Sequence, residues 1–119
     1  MEIQVFGKTK CFDTKKALRF FKERGVRVHE LDILRKGLSL GEYRSVRAAL
    51  GGQLDALIDG SGKAYEKYFI AYLAGDDVVE SALLEHPELY RTPIVRCGKA
   101  ATVGYAPEVW AEWLETLKA

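Results

Sequence analysis

Cys11 stands between a short apolar run, Ile3-Gln4-Val5-Phe6, and an amphipathic run that begins at Asp13. The loop before it reads Gly7-Lys8-Thr9-Lys10, and Asp13-Thr14-Lys15-Lys16 follows closely. A thiol that closes a strand and opens a helix faces unpaired backbone N–H groups and the positive end of the helix dipole. Both favour thiolate over thiol, and the thiolate is the nucleophile. Lys8, Lys10, Lys15 and Lys16 push the same way, and Asp13 opposes weakly. Thr14 can donate a hydrogen bond to the sulfur or cap the helix. The residues alone support two readings: a reactive cysteine, or a small buried residue at a helix start.

The elements that must position this thiol are legible along the chain. Residues 3–6 read as a buried strand. Residues 13–24 read as a helix capped by Asp13 or Thr14 and ended by Gly25, with Ala17, Leu18, Phe20 and Phe21 on one side. Residues 26–31 alternate as a half-buried strand does, which predicts a βαβ unit with parallel strands. Four helical stretches follow, at 40–50, 53–58, 63–73 and 77–85, separated by glycine-containing breaks. Tyr65, Tyr68, Phe69 and Tyr72 recur at helical spacing and are expected in the core of that block. Pro93–Cys97 and Ala101–Tyr105, joined at Gly98-Lys99, predict a β-hairpin. Pro107 opens a last helix whose apolar face is Val109, Trp110, Trp113, Leu114 and Leu117. The order β-α-β, helical block, β-β-α predicts an α/β fold, a thioredoxin-like four-stranded mixed sheet flanked by helices with an inserted helical subdomain. One domain spans 1–119, with the core at about 1–36 and 90–119 and the insertion at about 37–89.

A chain of 119 residues, 48% hydrophobic and 29% charged, is long enough to bury a core without staples. A net charge of +1 gives no sign of direct nucleic-acid binding. The two cysteines are far apart in sequence and make no disulfide framework, which fits a reducing compartment. With no signal peptide or membrane span evident, a cytoplasmic location is expected. His29 and His86 lack neighbouring ligands at metal spacing, so no metal site is expected.

The stretch FGKTKCFDTKKAL resembles the cysteine loop of the arsenate reductase/Spx family (ArsC/Spx). So does EHPELYRTPIV, followed by VGY and a C-terminal helix. The likeness spans nearly the whole chain. It implies a thioredoxin-like sheet with a helical insertion, a reactive cysteine at Cys11, and Pro93 after a cis peptide bond with Thr92, beside the thiol. It also implies departures. Asp59, Thr92 and Ala100 stand where the family's arsenate reductases are expected to carry oxyanion-binding arginines, and guanidinium forks suit a tetrahedral anion best. Arg91 is nearby, but a shift of one residue along an extended segment reverses the face of a side chain. These departures argue against arsenate as the substrate. Thr14 replaces the second cysteine of the family's Cys-x-x-Cys switch, so no local disulfide forms there. Cys97 lies four residues past Pro93, roughly 13 Å along a strand, beyond disulfide reach. It is expected to be a buried or half-buried strand residue.

The expectation is therefore a small monothiol oxidoreductase without a bound cofactor, acting through Cys11 with an external thiol, glutathione or a glutaredoxin. Lys8, Thr14, Arg91, Thr92 and Pro93 are the candidate binding residues. The alternative is an Spx-like regulator or adaptor that binds a protein such as RNA polymerase.

Overall fold

A computed structural model of the chain describes residues 3–118, with side chains through Thr116. Its elements are β1 (Ile3–Gly7), α1 (Phe12–Glu23), β2 (Val28–Asp32), α2 (Ile33–Lys36), α3 (Leu40–Ala49), α4 (Lys63–Lys67), α5 (Asp76–Glu85), β3 (Ile94–Cys97), β4 (Ala100–Val103) and α6 (Pro107–Lys118). Short 3-10 turns lie at Leu54–Leu57, Ile70–Tyr72 and Pro87–Leu89. The sheet order is β2-β1-β3-β4. β1 runs parallel to β2 and antiparallel to β3, and β3 pairs antiparallel with β4. This is the expected four-stranded mixed sheet with flanking helices and the thioredoxin-like order.

β1 and β3 lie inside the sheet and divide their side chains between two cores. Ile3, Val5, Val95 and Cys97 face α1 and α6, where they meet Ala17, Phe20, Phe21, Trp110 and Leu114. Phe6 and Ile94 face the helical block, where they meet Ile33, Tyr43, Val46, Leu57, Leu83, Leu89 and Tyr90. The period of two in each strand makes this division, and burial on both faces explains why β1 reads as nearly continuous apolar sequence.

α1 ends in a Schellman motif. The Gly25 N–H bonds to the Lys22 carbonyl at 3.0 Å and the Val26 N–H to the Phe21 carbonyl at 2.9 Å. Gly25 takes φ +68°, the left-handed conformation that favours glycine. Because Val26 belongs to this cap, β2 starts at Val28, two residues later than its alternation suggests. β2 is also a sheet edge, so His29 and Glu30 are exposed.

The helical block differs in detail from expectation. The predicted helix at 63–73 is broken, because Phe69 adopts φ 55° and starts a separate turn. Tyr65 and Tyr68 pack on the core, whereas Phe69 (66%) and Tyr72 (85%) are largely exposed. The stretch at 53–58 is only a 3-10 turn. Helix α2 escapes a periodicity reading because it has four residues; Asp32 caps it by accepting from the Leu34 N–H at 3.0 Å. α3 opens with a capping box between Ser39 and Glu42. On α6, Trp110 and Leu114 are buried and Trp113 is partly so, but Val109 is exposed. Leu117, expected on the same face, lies outside the described side chains.

Trp110 ties α6 to the sheet and to α1. Its indole N–H donates to Thr102 Oγ1 at 2.8 Å, and its ring lies 5.3–5.4 Å from those of Phe20 and Phe21. Trp110→Ala removes this fully buried ring and leaves the Thr102 hydroxyl without its donor. The expected loss is about 3–5 kcal/mol, read from urea unfolding followed by far-ultraviolet circular dichroism.

Candidate functional site

The β1–α1 turn holds Cys11 at the N-cap of α1, with φ −86° and ψ 120°. Its N–H closes a turn on the Lys8 carbonyl at 3.0 Å, and its carbonyl accepts from the Lys15 N–H at 3.2 Å. Helix α1 thus starts one residue earlier than expected. Asp13 and Thr14 fall inside its first turn, and no side chain caps it. Thr14 is buried and turns back instead, where its Oγ1 accepts from the Lys8 N–H at 3.3 Å. Gly7 permits that approach: a Cβ at position 7 would collide with the Thr14 side chain.

The sulfur is half-buried and points towards the start of β3. Cys11 Sγ lies 3.6 Å from the Thr92 carbonyl oxygen, to which the thiol donates. The Thr92–Pro93 peptide is cis, and both residues are buried. Burial pushes the Cys11 thiol up. The polar groups around the sulfur, the Thr14 and Thr92 side chains and the backbone N–H groups of Thr14 and Asp13, outweigh burial and hold its pKa below the ordinary thiol value. Ionised Cys11 therefore favours the fold above the unfolded thiol's pKa. That contribution is lost as pH falls through the lower folded value.

Lys8 serves a purpose that its type alone does not announce. Its Nζ donates to the backbone carbonyls of Glu88, at 2.9 Å, and Tyr90, at 2.8 Å. It fastens the cysteine loop to the segment that leads into Thr92. Burial pulls the Lys8 ammonium below the usual lysine value, while Asp59, the Cys11 thiolate and Glu88 act to keep the proton on.

Cys11 opens into a cavity of about 630 Å³ whose walls include Lys8, Lys10, Leu34, Asp59 and Thr92. Leu34 adds an exposed apolar side chain to that wall, and Phe12, the residue after the thiol, is 78% exposed. Leu34 carried no sequence signal, because α2 itself did not. The anchoring carbonyls of Glu88 and Tyr90 are backbone groups and have no signature in side-chain types.

The other candidates lie elsewhere. Arg91 is exposed and is not among the residues that line the cavity; its N–H bonds to the Leu57 carbonyl at 2.8 Å. Arg96 lies on the sheet face towards α3, where it reaches Gln4 at 2.9 Å and Ser45 at 3.3 Å. Cys97 is a buried strand residue in register with Ile3, whereas Cys11 follows the far end of β1. Burial pushes its pKa up. His86 stacks on Tyr68 with centroids 3.8 Å apart. Among the described residues, no helix is long and apolar enough to cross a membrane.

A thioredoxin-like sheet with a cysteine at the N-cap of its first helix and a cis-proline opposite defines a broad class of thiol proteins. Within it, this chain belongs to the ArsC family, whose sequence model matches residues 6–113. It is similar to the global transcriptional regulator Spx 2 of Oceanobacillus iheyensis, 28% identical over 109 residues, which cover 88% of this chain and 78% of that protein. Its fold is that of an arsenate reductase from Vibrio cholerae, with TM-score 0.83, 24% identity, and coverage of 94% of this chain and 97% of the other. An arsenate reductase related protein from Brucella melitensis shares it as well, with TM-score 0.70, 16% identity, and coverage of 96% and 95%.

Gly7→Ala tests how the site is assembled. The added methyl must displace Thr14, so the thiol pKa is expected to rise towards the ordinary range and stability to fall by about 1–3 kcal/mol. The pH profile of alkylation and an unfolding curve read the two effects.

Proposed function

We propose that this protein is a monothiol oxidoreductase that acts through Cys11. The observation that carries the proposal is the placement of the sulfur, at the N-cap of α1, 3.6 Å from the Thr92 carbonyl oxygen and on the border of a cavity. Attack by the Cys11 thiolate on one sulfur of a disulfide forms a mixed disulfide and expels the other sulfur as a thiolate. Cys97 lies at the opposite end of β1, so an external thiol must supply the second electron pair. A low-molecular-weight thiol such as glutathione, or a glutaredoxin, attacks the mixed disulfide and returns Cys11 as a thiolate. Thr14 and the backbone beside Pro93 would hold the sulfur and orient the incoming group. Lys8 would act chiefly by fixing the loop. The Asp59 carboxylate, in a cavity with no arginine among its described lining residues, argues against arsenate as substrate.

A second reading is favoured by the similarity to a transcriptional regulator. In it the fold is an adaptor that binds a protein partner such as RNA polymerase, and Cys11 is dispensable. The two readings separate on one pair of variants. For an oxidoreductase, wild type and Cys97→Ser reduce 2-hydroxyethyl disulfide with glutathione, Cys11→Ser does not, and mass spectrometry finds the mixed disulfide on Cys11. Exchange no faster than that of free cysteine, together with co-purification of the polymerase by Cys11→Ser, supports the adaptor instead.

A further inference from the structure

The walls of the Cys11 cavity carry a charge pattern that bears on what enters it. Asp59 lies in the turn after the 3-10 segment Leu54–Leu57 and is fixed there. Its Oδ1 accepts from the Ser61 N–H at 3.2 Å and the Ser61 hydroxyl at 2.8 Å, and its own N–H donates to the Leu89 carbonyl at 2.9 Å. Oδ2 takes part in neither Ser61 bond and keeps its acceptor capacity. The carboxylate therefore sits in the same cavity as the sulfur, held by the chain around it.

Lys8 does not cancel this charge for a ligand. Two of its N–H groups are spent on the Glu88 and Tyr90 carbonyls. The anions that act on it are Asp59, the Cys11 thiolate and Glu88, one cation against three anions. Lys10, the remaining basic residue of the wall, is exposed, and solvent and salt screen it. An anionic group next to the reacting sulfur would meet a fixed carboxylate, with Lys8 already committed to backbone carbonyls and only the screened Lys10 to pair with. An ammonium or an uncharged hydrogen-bond donor would meet an acceptor.

We infer that Asp59 makes the Cys11 cavity selective by charge, for disulfides whose sulfur-bearing arm is cationic or an uncharged hydrogen-bond donor and against those whose arm is a carboxylate or oxyanion. The inference rests on the thiol-exchange reading and names the substrate class of that site. Chemically the step is the one already given: the S–S bond of the substrate breaks, the Cys11–S bond forms, and the released arm leaves as a thiolate. The thiol that later frees Cys11 attacks the arm's sulfur from outside the cavity.

Three small disulfides test it: cystamine (cationic), 2-hydroxyethyl disulfide (neutral) and dithiodiglycolate (anionic). Each is reacted with Cys11 at low ionic strength in the wild type, Asp59→Asn and Asp59→Glu. Asn can keep the bonds from Ser61 while removing the charge; Glu keeps the charge. Circular dichroism checks that both fold. Asp59→Asn is expected to raise the ratio of anionic to cationic rate by on the order of five- to tenfold, and the gain should shrink as salt is added. Asp59→Glu should stay near the wild-type ratio, as should Glu112→Gln on α6, outside the cavity. If Cys11 outpaces free cysteine in every protein yet the ratio does not move in Asp59→Asn, the selectivity claim is overturned and the thiol-exchange reading stands. If wild-type Cys11 reacts no faster than free cysteine with any of the three, the reading beneath it is overturned, and the inference with it.

Discussion

The structure around Cys11 depends on how closely the end of β1 approaches the first turn of α1. Gly7 leaves room for the Thr14 side chain, Thr14 accepts the Lys8 N–H, and the turn closes from Cys11 back to Lys8. Cys11 therefore sits at the helix N-cap rather than one turn inside it, beside the unpaired N–H groups of the first turn. The strap from Lys8 to the Glu88 and Tyr90 carbonyls then brings the segment before β3 to the same place. Sulfur, Thr92 and the cis peptide meet because Gly7 leaves space, the Thr14 hydroxyl bonds to the loop backbone, and the Lys8 ammonium bonds to the backbone that leads into Thr92.

The rest of the fold supplies rigidity. β1 and β3 are buried on both faces, so the strand ends that carry Gly7 and Thr92 are fixed from both sides. The helical block does more than cover the sheet. It contributes Asp59 to the cavity and, through Glu88 and Tyr90, the carbonyls that hold Lys8. The chemistry of the site is thus divided between the sheet core, which positions the sulfur, and the block, which sets the charge of the space in front of it.

The sequence carried the order of elements, the position of Cys11 and the hairpin, because strands buried on two faces read as apolar runs and a glycine-ended amphipathic helix leaves a strong period signal. The Schellman motif at Gly25 was legible as a stop but not as the reason that Val26 is withheld from β2. What stayed hidden was mostly short or made of backbone: α2, the left-handed Phe69 that breaks the predicted helix at 63–73, and the carbonyl partners of Lys8. Asp59 was recognised as a departure in charge, but its place in the wall of the cavity follows only from the folded chain. Thr14 was read as a cap or a donor to the sulfur; Cys11 occupies the cap instead, and the Thr14 hydroxyl accepts from the Lys8 N–H.

The fold lowers the pKa of one sulfur and leaves it half-buried at the mouth of a cavity. Alkylation of Cys11 by neutral iodoacetamide, followed across pH in the native protein and again in denaturant, measures that directly. The native midpoint is expected below the denatured one, with the native thiol the faster to react at neutral pH. A native midpoint at or above the denatured value, or a native thiol that the reagent fails to modify, would contradict it.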